Sequence, residues 1–190
     1  ALRNQQQDVT KSNRFFHPKL TSSQHAQDRS TEQIMSASQK HLLLIYHSRS
    51  GTNQRLADAI QAGVERDPGN VTLRIRTAFA ADEADLLWAD ATIFVSPEHF
   101  GYMAGALKDF FERTFYPTEN QVGGRSISIV IGTGLDGQGA LASIRKICTG
   151  YRFKEVQPPI IVVGPPTEDD LAACETLGAT FAAGLEAGVF

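Results

Sequence analysis

The sequence predicts an α/β protein: a doubly wound, five-stranded parallel sheet in the order 2-1-3-4-5, with helices on both faces. Three observations predict it. From residue 41 onward, short apolar runs alternate with amphipathic stretches, the pattern of strands joined by crossover helices. Four of the five strand candidates are near-continuously apolar, as strands covered on both faces are. The fifth, Val71-Thr-Leu73-Arg-Ile75-Arg76, alternates strictly. It therefore reads as a half-exposed edge strand, which is the place of the second strand in this order.

The first strand covers 42–46, Leu-Leu-Leu-Ile-Tyr. The helix after it carries Leu56, Ile60 and Val64 on one face. The edge strand covers 71–76. A shorter helical segment, 81–89, follows with Leu86, Leu87 and Trp88, where Trp88 reads as cover for the sheet. The third strand covers 91–96, and its helix presents Met103, Leu107, Phe110, Phe111 and Phe115. The fourth strand covers 126–131 and leads to a helix with Leu141, Ile144 and Ile147. The fifth strand covers 159–163. The last helix opens on Thr167-Glu-Asp-Asp170, a capping-box pattern, and continues with Leu171, Cys174, Leu177 and Phe181.

At 190 residues the chain reads as one domain over 41–190, preceded by a polar extension over 1–40. The extension holds six Lys/Arg and three Asp/Glu, and the rest holds twelve and eighteen. The halves therefore carry +3 and -6. No basic stripe appears, so nucleic acid is not an expected partner. Cys148 and Cys174 fit no metal or redox spacing and are expected to be buried thiols of a reducing compartment. No apolar run is long enough for a membrane span and the start carries no secretory core, so the cytoplasm is the expected location. No metal site is expected.

In an open parallel sheet, ligands bind beyond the carboxyl ends of the strands, where the strand order reverses. Here that point lies between strands one and three. The loop after strand one is Ser48-Arg49-Ser50-Gly51-Thr52-Asn53. Its hydroxyls, its glycine and the following helix N-terminus suit a phosphate. The same letters also suit a loop whose Ser or Asn merely caps the helix. The loop after strand three is Pro97-Glu98-His99-Phe100-Gly101-Tyr102. Phe100 and Tyr102 suit a flat ring, or equally a core at a strand end, and Gly101 admits close backbone approach. His47 and His99 need no more than packing and solvation. A third loop, Gly132-Thr133-Gly134-Leu-Asp136-Gly137-Gln138-Gly139, matches G-x-G-x-x-G by letter. It falls on the fourth unit, away from the switch point, and is set aside as a dinucleotide fingerprint.

The pairing of the first two loops resembles the flavodoxin-like superfamily. Within it, the Pro-x-x-Phe-Gly-x-Met segment leading to Leu107-Lys108 and Glu112-Arg113 is most similar to the NAD(P)H-dependent FMN and quinone reductases, over roughly residues 41–188. The resemblance implies that 48–53 hold the phosphate of FMN and that 97–102 hold its ring. It implies that the third loop, with Thr133, Gly134 and Gly137, borders the other side of the flavin. It further implies NADH or NADPH as electron donor, a quinone, flavin or similar small molecule as acceptor, and a homo-oligomer, dimer or tetramer. No catalytic acid or base is assigned, because the cofactor carries the chemistry. The alternative is a flavodoxin-type electron-transfer protein without a substrate site of its own.

Overall fold

A computed structural model describes residues 38–190; the expected polar extension lies outside the described residues up to position 37. Strand β1 (Lys40–Tyr46) is central, with Leu42, Leu43, Leu44 and Ile45 fully buried. Helix α1 (Thr52–Arg66) follows and ends before Pro68, which cannot continue it. Next come β2 (Val71–Thr77), α2 (Glu83–Trp88), β3 (Ala91–His99), β4 (Tyr102–Met103) and α3 (Gly105–Thr118). The chain closes with β5 (Ser126–Thr133), α4 (Gln138–Tyr151), β6 (Lys154–Glu155), β7 (Ile160–Val163) and α5 (Glu168–Glu186).

The sheet runs β2-β1-β3-β5, and both β6 and β7 pair in parallel with β5. This is the expected 2-1-3-4-5 order, with β7 as the expected fifth strand and β6 an additional two-residue piece on the same edge. Between them lie Pro158 and Pro159, which have no N–H to give to a ladder. Register is continuous elsewhere: Leu42 pairs with Leu73 on one side and Ala91 on the other, and Ile93 pairs with Ser128. Strand β4 departs from the expected layout. It is antiparallel to β3, so Met103 belongs to a hairpin and not to the following helix.

Side-chain alternation sends β1 residues to two cores. Leu43 and Ile45 join α2, α3 and α4 on one face; Leu42 and Leu44 join α1 and α5 on the other. On the second face, α1 and α5 touch through glycines. A Cβ on Gly63 would stand 1.9 Å from the Glu175 carbonyl oxygen, and one on Gly178 would stand 2.1 Å from that of Ile60. Cys148 and Cys174 are free and lie in opposite cores. Burial pushes both thiols up to about 12.

The outer edge of the sheet is closed by charge. Arg74 and Arg76, two residues apart on β2, converge on the buried Asp85 of α2 at 2.8 and 3.1 Å. The Arg74 guanidinium also lies 3.8 Å over Trp88, whose other neighbour is the His41 ring at 4.3 Å. Trp88 is thus sheet cover. Among the described residues one buried side-chain oxygen, Ser128 Oγ, has no partner. Ser128→Ala removes that orphan, so its cost in a urea melt is expected to be near zero, or a gain of up to about 1 kcal/mol.

Candidate functional site

The loops at the carboxyl ends of β1, β3, β5 and β7 frame one pocket of about 710 Å³. That is the size of a cofactor or small-ligand cleft, and it sits at the switch point of the sheet. Three helices begin on its rim: α1 after residues 50–51, α4 after 132–134 and α5 after 164–166. Each helix N-terminus brings unpaired amides and a partial positive charge of about half a unit. What fills those amides decides where an anion can sit.

At α5 the chain fills one of them itself, the Asp170 N–H on the Thr167 hydroxyl, and sets three acidic residues in the first turn. Thr167 and Asp170 form a full capping box. At α4 it does so again, and more completely. Asp136 Oδ1 accepts from the Gln138 N–H at 3.0 Å. Glu98, reaching over from β3, accepts from the N–H groups of Gly137, Gly139 and Ala140 at 3.1, 3.1 and 3.2 Å, and from the Thr133 hydroxyl at 2.7 Å. The Glu98 side chain is therefore committed to α4. Burial pushes its carboxyl up, but the Thr133 hydroxyl and the three amides outweigh that and hold it below the usual glutamate range. A depressed folded value contributes stability that is present above the ordinary glutamate range and is lost as the pH falls through the folded value. Acidification through that window is therefore expected to loosen the first turn of α4, read as faster amide exchange at Gly139 and Ala140. In Glu98→Gln the same window should show no such step.

At α1 the chain leaves the amides open. Gly51 precedes the helix with φ 92°, and no side chain caps it. The Ser48 hydroxyl is turned inward on its own loop, accepting from the Gly51 N–H at 3.2 Å. The first backbone bond of the helix runs from Arg55 N–H to the Gly51 carbonyl at 3.0 Å. Thr52, Asn53 and Gln54 thus present their N–H groups to the pocket they line. No acidic residue stands in this first turn. Asn53 is 4 % exposed, and its Oδ1 accepts from the Gly132 N–H at 3.1 Å. A backbone donor requires the oxygen there, so the side-chain NH2 is left as a donor on the pocket side. Ser50 and Arg55 complete this end.

The other end is walled by Pro97, Glu98 and His99 on one side and by Gly132, Thr133 and Gly134 on the other. Ser96, fully buried, holds the wall by accepting from the Ala104 N–H at 3.1 Å. The hairpin turn beyond uses Phe100 at φ 55° and Gly101 at φ 70°, the two left-handed positions of a type I′ turn. Phe100 is fully exposed and Tyr102 is 44 % exposed, so neither is core. Their rings stand outside the pocket lining. His47 and His99 flank this end with ring centroids 6.3 Å apart. Burial, helped by His99 and Arg49, holds His47 below the usual histidine value.

Of the residues singled out in the sequence, Ser50, Gly51, Thr52, Asn53, Pro97, Glu98, His99, Thr133 and Gly134 meet in the pocket lining. Ser48 and Gly137 shape the loops behind it, and Arg49, Phe100, Gly101 and Tyr102 stand further out. Gly132, the first residue of the third loop, also lines the pocket; sequence reasoning missed Gln54, Arg55 and the Gly164-Pro165-Pro166 segment. That segment follows the fifth strand, so the rule that ligands bind past strand ends already pointed to it. In the glycine-rich third loop, Gly132 and Gly139 are required by packing. A Cβ on Gly139 would stand 1.9 Å from the Gly101 carbonyl oxygen, and one on Gly132 2.7 Å from Asn53 Oδ1.

Comparison with known proteins follows this geometry. Residues 41–166 match the profile of a family described as NADPH-dependent FMN reductase. A flavodoxin of Aquifex aeolicus (strain VF5) is 23% identical over 153 residues, spanning 72% of this chain and 82% of that protein. Among solved structures, a flavodoxin from the domain Archaea superposes with a TM-score of 0.69 at 22% identity, covering 77% of this chain and 99% of the other. A flavodoxin, WrbA-like protein from Agrobacterium tumefaciens gives 0.64 at 20%, covering 78% and 98%. At these identities the superpositions establish the flavodoxin-like fold.

Proposed function

The chain belongs to the NADPH-dependent FMN reductase family and is an FMN-binding flavoprotein, an oxidoreductase or electron carrier; we propose that it is an enzyme that takes electrons from NADH or NADPH and passes them to a quinone, a flavin or a similar small acceptor. The observation that carries the cofactor placement is the contrast between the three helix N-termini. One is filled by the Glu98 and Asp136 carboxylates, one is capped by Thr167 and carries three acidic residues in its first turn, and the third is uncapped, free of acidic residues and lined by donors. In this reading the FMN phosphate lies on α1, held by the Thr52, Asn53 and Gln54 amides, the Asn53 NH2 and the Ser50 hydroxyl, with Arg55 adding charge. The ring lies between Pro97–His99 and Gly132–Gly134. Bound there, the flavin supplies hydride and electron transfer; the chain binds, orients and screens it. No side chain is given an acid or base role.

The test is an absorbance spectrum of the purified, FMN-supplemented protein, followed by anaerobic titration with NADH and NADPH and then steady-state assays with a quinone. Bleaching and turnover are expected. A flavin-loaded protein that neither nicotinamide reduces, and that turns over no acceptor, fits the second reading, a flavodoxin-type carrier, which the Aquifex relative favours. A protein that takes up no FMN overturns both.

The proposal includes a homo-oligomer. Phe79, Phe100, Tyr102 and Leu135 all stand exposed on the loops and the β4 hairpin at the carboxyl end of the sheet, an apolar rim that suits cover by a second copy. Sedimentation of the full chain is expected to give a dimer or tetramer; a monomer at all concentrations removes this part.

A further inference from the structure

The ring end of the pocket is made of two loops from different parts of the chain, and one side chain joins them. Glu98 Oε2 takes the Thr133 hydroxyl and the Gly137 N–H; Oε1 takes the Gly139 and Ala140 N–H groups. Four donors saturate a carboxylate, and charge-assisted bonds of this kind are roughly twice as strong as neutral ones. The same two segments touch again where Gly139 meets the Gly101 carbonyl. The carboxylate also stands in the wall of the pocket. It therefore replaces the positive end of α4 there with a net negative charge.

We propose that Glu98 is a positioning residue for the flavin ring: it fixes the spacing of the two ring-side loops before the cofactor binds, and its charge makes the bound ring harder to reduce. This rests on the FMN reading of the pocket. The physics is direct. Reduction adds electron density to the ring. A bare helix N-terminus beside it would favour the reduced form, and a carboxylate in its place disfavours it.

The test compares wild type with Glu98→Gln, Glu98→Asp and Glu98→Ala. In apo protein, hydrogen exchange at Gly137, Gly139 and Ala140 is expected to quicken about tenfold or more in all three variants. In the FMN complex, Glu98→Gln is expected to shift binding toward reduced FMN by about tenfold relative to oxidised FMN, a midpoint rise of about 30 mV for a two-electron couple. Glu98→Asp keeps the charge, so it should keep the wild-type potential while its loops loosen. It also serves if Glu98→Gln does not fold. Wild-type exchange rates in folded variants overturn the positioning half. A potential in Glu98→Gln that is unchanged or lower overturns the electrostatic half. A wild-type protein that binds no FMN would instead sink the FMN reading, and the apo exchange result would stand apart from it.

Discussion

Thr52→Asp is expected to raise the melting temperature of the cofactor-free protein slightly while weakening FMN binding by about 100-fold or more. The two effects have opposite signs because they share one cause. Helix α1 has no side-chain cap and no acidic residue in its first turn. A carboxylate at its first position satisfies open amides and the dipole, for a gain of about 0.3–1 kcal/mol. The same carboxylate occupies the place of the phosphate. Two unit charges ~4 Å apart in surface-like surroundings repel by about 4 kcal/mol, and about 2.7 kcal/mol already corresponds to a hundredfold change in affinity. Riboflavin, which lacks the phosphate, should bind wild type and variant alike. Calorimetric titration with both ligands, beside a thermal melt, checks the pair. A variant that keeps its FMN affinity would place the phosphate elsewhere.

Gly178→Ala is expected to destabilise the protein by about 2 kcal/mol or more, lowering the melting temperature by about 4–8 °C for a domain of this size. Alanine is the better helix former by about 1 kcal/mol, so propensity alone predicts the reverse. Packing decides. The new Cβ would sit 2.1 Å from the Ile60 carbonyl oxygen and 3.1 Å from the Val64 nitrogen. Both are backbone atoms of α1 and cannot swing aside. The helices must separate, and such overpacking costs about 3 kcal/mol or more. Gly150→Ala is the control. It also lies within a helix, but its Cβ would meet the Phe115 ring at 3.4 Å, an ordinary contact, so it should be neutral or mildly stabilising. Circular dichroism melts of both variants separate the two causes. Because α1 carries the open N-terminus, Gly178→Ala should also weaken FMN binding.

The fold was legible in the sequence because its strands are apolar runs and its one alternating strand is the edge. The capping box at Thr167 was legible because it is local: the partners lie three positions apart. The β3–β4 hairpin was not. Its turn is Phe100-Gly101 where Asn-Gly is the usual signal, and Met103 kept the spacing of the helix that follows. The phosphate end of the candidate site could be read from adjacent residues on one loop. The role of Glu98 could not, because its partners lie 35 to 42 positions away. For the same reason the glycines of the third loop looked like a nucleotide fingerprint. The constraint on Gly132 and Gly139 comes from Asn53 and Gly101, which only the folded chain brings near.

The two ends of the sheet also limit how copies of this protein can meet. An open edge invites another chain to add a strand, the usual route to runaway aggregation. Here the β2 edge carries two arginines pinned by Asp85, and the opposite edge is a pair of stubs interrupted by adjacent prolines. The prolines break the row of N–H and C=O groups on the second edge, and charged side chains stand beside the row on the first. Strand addition is thus disfavoured at both edges of the described sheet, and helical faces and the apolar rim of the pocket remain as surfaces for association. Self-assembly through the pocket rim bears directly on the site, whereas an extended ribbon of added strands would leave the site untouched.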